Sequence, residues 1–91
     1  MDAPSRNMKY QLVYHPGVKK DLRSVPEKDR GRILTAIAGL ADEPFSGKKL
    51  SGEYEGFYSL RVWPYRIIYQ VLKTKLTILV VQIGQRGGAY K

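Results

Sequence analysis

Residues 56–83 read GFYSLRVWPYRIIYQVLKTKLTILVVQI. Three runs rich in β-branched and aromatic residues, Gly56–Val62, Tyr65–Leu72 and Leu76–Ile83, are separated by Trp63-Pro64 and by Lys73-Thr74-Lys75. That composition suits a pleated, half-buried surface, and proline cannot donate to a ladder, so the runs read as strands and the breaks as turns. Connections this short force antiparallel hairpins. With Trp63-Pro64 at the centre of the first turn, Arg61 lies opposite Arg66, Leu60 opposite Ile67 and Tyr58 opposite Tyr69. Directly opposed residues point to the same face. The apolar pairs therefore belong against a core, and the two arginines project from the far side. There their like charges repel unless an anion bridges them. A slip of one residue in register would undo this pairing.

Upstream, Met8–His15 (MKYQLVYH) is rich in Tyr and Val and reads as a further strand. Pro16 suits the first turn of a helix. Val18, Leu22 and Val25 then recur at near-helical spacing, with Lys19, Lys20 and Arg23 outward. Ser24-Val25-Pro26-Glu27 has the form of a capping box that opens a second helix. Ile33, Leu34, Ala36, Ile37, Leu40 and Ala41 fall on one stripe of that helix at a period of 3.6. Asp42–Glu55, punctuated by Pro44, Gly47 and Gly52, reads as a loop. His15 reads as structural or as a helix cap. The expected fold is α+β with the order β-α-α-β-β-β: an N-terminal helical hairpin packed on one face of a mainly antiparallel four-stranded sheet.

Two features of the C-terminal strands point to a partner. The first is charge: residues 56–91 hold six Lys/Arg and no acid, whereas residues 1–55 hold ten against eight, so six of the net eight positive charges sit in the last 36 residues. A structured segment of one sign concentrates polyanions, and phosphate is the expected ligand. The second is that IIYQVL and LTILVV are nearly continuous apolar runs, which usually means cover on both faces. Two helices cover only one. Ile68, Leu79 and Val81 on the arginine side are expected to be partly bare and to receive a partner; the alternative is that the loop or the C-terminal tail folds over them.

The absence of cysteine removes disulfides and thiolate chemistry, and one histidine leaves too few soft ligands for a structural zinc; no metal or small-molecule cofactor is expected. Residues 1–7 are polar and read as a disordered lead-in to a single domain over 8–91. No run is long enough for a membrane span, and a cytoplasmic location is expected.

Lys49-Leu50-x-Gly52, the Tyr58–Val62 run YSLRV, Tyr65-Arg66 with the apolar strand behind it, and Gly84-x-Arg86 followed by Tyr90 stand in the order and spacing of one family. Over Met8–Lys91 the chain resembles the RelE/ParE superfamily of bacterial and archaeal toxins. The resemblance implies the toxin of a type II toxin–antitoxin system, partnered by a cognate antitoxin and acting on the ribosome with its mRNA. RelE-type members cut the A-site codon through attack of the RNA 2′-hydroxyl on the adjacent phosphate, which requires no protein nucleophile. On that resemblance Arg66, Arg86 and Tyr90 are the catalytic candidates and Arg61 a phosphate anchor; the basic residues Lys48, Lys49, Lys19 and Lys20 complete the RNA-binding candidates. Ser59 and Gln85 stand where relatives carry a basic residue and a histidine, which leaves the general base unassigned. A ParE-like gyrase inhibitor, or a member that only binds its antitoxin or RNA, are the alternative readings.

Overall fold

The computed structural model describes residues 9–85. The chain runs β1 (Gln11–Tyr14), α1 (Pro16–Ser24), α2 (Glu27–Gly39), β2 (Lys48–Lys49), β3 (Phe57–Val62), β4 (Tyr65–Leu72) and β5 (Thr77–Gln85). The sheet has five strands in the order β1-β5-β4-β3-β2. The α+β class and the element order follow the sequence reading, with one correction: Lys48–Lys49 adds an antiparallel edge strand inside the segment read as loop, and a two-residue strand leaves no period to detect. The parallel pairing of β1 with β5 makes the sheet mainly rather than wholly antiparallel.

Both helices lie on one side of the sheet, with α1 against β5 and α2 against β3. Val18, Val25, Ile33, Ile37 and Leu40 from the helices meet Tyr65, Ile67, Tyr69, Ile78, Val80 and Ile83 from the sheet. Complete burial of such side chains stabilises by about 1.5–3 kcal/mol each before chain entropy is counted. Leu34, placed on the buried stripe by its spacing, is instead 40% exposed, because the buried line of α2 runs through Ile33, Ile37 and Leu40 and the residue after Ile33 is turned away from it.

The caps explain how the helical hairpin turns. His15 is the N-cap of α1, and its Nδ1 accepts from the amide of Gly17 at 3.1 Å. The capping box does not form. Ser24 is the last residue of α1 and donates its hydroxyl to the carbonyl of Lys20, while Pro26 caps α2 without a side-chain bond. Arg30 holds the joint instead, donating to the carbonyls of Leu22 and Val25 at 3.0 and 2.9 Å. It thereby satisfies acceptors that a helix C-terminus leaves open.

Pairing of β3 with β4 sets Tyr58 against Tyr69, Leu60 against Ile67 and Arg61 against Arg66, the register expected from the turn. Between β4 and β5 the register shifts: Ile68 pairs with Gln82 but Tyr69 pairs with Val80. Val81 is the extra residue of a β-bulge, and the side-chain phase of β5 reverses across it. Ile78 and Val80 face the helices before the bulge and Ile83 does so after it, which is how a continuous apolar run serves a sheet covered on one side.

Candidate nucleic-acid interface

The face away from the helices can be read in rows across the strands. Gly84, Arg66 and Arg61 form one row; Gln82, Ile68, Ser59 and Lys48 form the next. Beyond the bulge come Val13, Leu79, Gln70 and Phe57. One corner of the face is thus cationic and the opposite corner apolar.

The cationic corner is a groove. Ser46, Gly47, Lys48, Ser59, Leu60, Arg61 and Arg66 line a hollow of about 250 Å³. Arg61 is exposed, Arg66 is half-buried, and Ser59 is buried between its neighbours. Lys48 reaches the groove because β2 is held in place by the loop before it. The Tyr69 hydroxyl donates to the carbonyl of Pro44 at 2.9 Å and accepts from the amide of Gly47 at 3.0 Å. Burial pushes the Tyr69 hydroxyl pKa up, so it stays a neutral donor. Glycine is required at 47: a Cβ there would stand 2.6 Å from the Tyr69 hydroxyl and 2.9 Å from the carbonyl of Ser59. Phe45 and Tyr58 extend this anchor as an edge-to-face pair, and Tyr58 stacks on Tyr69.

The structure brings together three of the cations singled out in the sequence: Arg61, Arg66 and Lys48. It separates the others. Lys49 pairs with Tyr58 and so belongs to the helix side of the sheet, since adjacent residues of a strand point opposite ways. Lys19 and Lys20 are exposed on α1, in the helical layer. Arg86 and Tyr90 lie outside the described residues. Ile68, expected to be partly bare, is 1% exposed, whereas Leu79 and Val81 stay partly accessible beside exposed Val13. The lateral contribution of Lys48 to the row of Ser59 was not legible in the sequence, because a two-residue strand has no period to detect.

A larger hollow of about 310 Å³ lies at the helix joint, lined by Asp21, Ser24, Val25, Pro26, Tyr65, Ile83 and Gly84. Among the described residues its charged lining group is the Asp21 carboxylate, which accepts from the amide of Ile83.

Solved structures share this architecture. Archaeal RelE in its complex with RelB from Pyrococcus horikoshii is 31% identical, with a TM-score of 0.75 over 89% of this chain and 99% of that one. The toxin–antitoxin complex RelBE2 of Mycobacterium tuberculosis superposes with a TM-score of 0.80 over 86% of this chain and 99% of that one, at 24% identity. A chain of Methanocaldococcus jannaschii that carries the toxin name RelE1 is 33% identical over 89 residues, covering 92% of this chain and 98% of its own. A helical hairpin on one side of an open mixed sheet is therefore a RelE-type toxin fold. The family model for the ParE toxin of type II toxin–antitoxin systems matches residues 12–90, and the chain belongs to that family, within the RelE/ParE superfamily.

Proposed function

We propose that this toxin is a ribosome-dependent endoribonuclease that binds mRNA on the bare face of its sheet. The observation that carries the reading is the convergence of Arg61, Arg66 and Lys48 on one groove. The RNA 2′-hydroxyl attacks the adjacent phosphorus, the bond to the 5′-oxygen breaks, and a 2′,3′-cyclic phosphate and a 5′-hydroxyl end result. Negative charge grows on the phosphoryl oxygens as the bond forms. Guanidinium groups fork onto such oxygens in fixed geometry, and positioned charge of this kind contributes most in a partly desolvated groove. Arg66 is the transition-state contact, while Arg61 and Lys48 hold the backbone on either side. Arg86 and Tyr90 join the site on the family resemblance, as phosphate contact and as stacking or proton-transfer group.

An antitoxin of the RelB type, as bound in the neighbouring complexes, is the restraining partner. Leu79 and Val81, with Val13, form the accessible apolar corner for it, and Ile68 is buried rather than part of that surface. No helix among the described residues is long and apolar enough to cross a membrane, and a cytoplasmic setting belongs to the same reading.

The test is primer extension on mRNA with purified ribosomes. A-site cuts with 5′-hydroxyl ends are expected from the wild type, reduced about 100-fold or more by Arg66→Ala, the usual scale for removing one charge-stabilising contact. No cutting by the wild type, or undiminished cutting by the variant, would overturn the assignment. The ParE description of the family model favours one second reading, binding to DNA gyrase, which inhibition of supercoiling without mRNA cleavage would support.

A further inference from the structure

Trp63 is the chain's one tryptophan, and at 57% exposure it is the most exposed large apolar side chain among the described residues. It sits in the turn that joins the two arginine-bearing strands. At the rise of a strand, its Cα lies about 7 Å beyond that of Arg61.

The backbone beneath this ring is clamped. Arg32 donates to the carbonyl of Trp63 at 2.8 Å and to Asp29 Oδ1 at 3.2 Å. On the other side of the turn the Tyr65 hydroxyl donates to Asp29 Oδ2 at 2.9 Å. Side chains from α2 and β4 thus hold the turn that carries the ring, and more than half of the Trp63 surface stays accessible. Of the arginines around it, Arg32 is paired with Asp29, whereas Arg61 and Arg66 stand on the two strands that the turn joins. The surroundings thus suit a ligand that is both aromatic and anionic.

We propose that Trp63 is a stacking platform for an unpaired nucleobase of the RNA whose phosphate is held by Arg61 and Arg66. This rests on the proposed RNA-binding role of that face and adds to it a residue that contacts a base. Aromatic side chains stack on any base and so position a nucleotide without reading its hydrogen-bonding edge. A preordered backbone under the ring lowers the entropy lost on binding.

The indole reports on itself, because no other tryptophan contributes to the emission. A short oligoadenylate is expected to quench the fluorescence, and inorganic polyphosphate, a polyanion without bases, to bind without quenching. Trp63→Ala is expected to weaken oligoadenylate binding about 10-fold, the usual worth of one base stack, and to leave polyphosphate affinity unchanged. Oligoadenylate binding that depends on Arg66 but leaves the emission unchanged would overturn the stacking role while the RNA face stands. Equal weakening of both ligands by Trp63→Ala would assign the residue to the fold. A Trp63→Ala loss confined to antitoxin binding would assign it to the protein partner. Absence of any oligoadenylate binding by the wild type would remove this role together with the RNA face.

Discussion

The two faces of the sheet are written by alternate residues of the same strands, yet they obey opposite rules. Toward the helices, Ile67, Tyr69 and Val80 are fully buried, and the two tyrosine hydroxyls that reach the margin, Tyr65 and Tyr69, each have a hydrogen-bond partner. Toward solvent, like charges stand directly opposed at Arg61 and Arg66 beside Lys48. A face selected for stability alone would not oppose arginines, since such pairs are destabilising unless an anion joins them. The difference separates what holds the protein together from what it is for.

The comparison breaks most easily from the helix side. Ile67→Ala removes a fully buried side chain next to Arg66 and is expected to cost about 2–5 kcal/mol in chemical denaturation, a large share of the stability of a domain this small. Its neighbour in sequence, Arg66→Ala, is expected to leave the midpoint within about 0.5 kcal/mol while removing activity. Comparable destabilisation by both substitutions would mean that the faces are not functionally distinct.

Gly47→Ala joins the two faces. The added methyl must displace the Tyr69 hydroxyl or the backbone at Ser59, which is expected to cost about 1–3 kcal/mol. It should also dislodge β2 and so weaken RNA binding through Lys48. Destabilisation without any loss of RNA affinity would sever Lys48 from the groove.

The smallest effect is an acid one. The hydrogen bond from Tyr65, then the bond and charge of Arg32, hold the Asp29 carboxyl below its ordinary value of 3.8. A lowered folded-state pKa gives stability that is present above the unfolded value and lost as pH falls through the folded one. Unfolding followed from pH 5 down to about 2 should therefore show a loss of stability that Asp29→Asn flattens. An unchanged acid limb in the variant would show that the clamp on the Trp63 turn carries no charge.

How much of this was legible depended on the range of the interaction. The register of β3 on β4 follows from a two-residue turn, and the His15 cap from a histidine before proline, both local. The apolar runs of β4 and β5 suggested cover on both faces, but the bulge at Val81 resolves part of that excess by reversing the phase, and Ile68 is buried in the chain alone. Ser24-x-x-Glu27 had the letters of a capping box, yet Arg30 closed the joint from the next turn. Of the site, Arg61 and Arg66 were readable from strand alternation. Lys48 was named by its charge, but its place beside Ser59, and the opposite orientation of Lys49, required the pairing of β2 with β3, which the Tyr69 anchor helps to hold.

The most direct test of the arginine face is the salt dependence of binding to a short single-stranded RNA. Each phosphate neutralised on a single strand contributes about 0.7 to the slope of log affinity against log salt. If Arg61 and Arg66 each hold a phosphate oxygen, the Arg61→Ala/Arg66→Ala double variant should bind more weakly with a slope shallower by about 1.4. An unchanged slope would place the RNA elsewhere on the molecule and contradict the division of labour between the two faces.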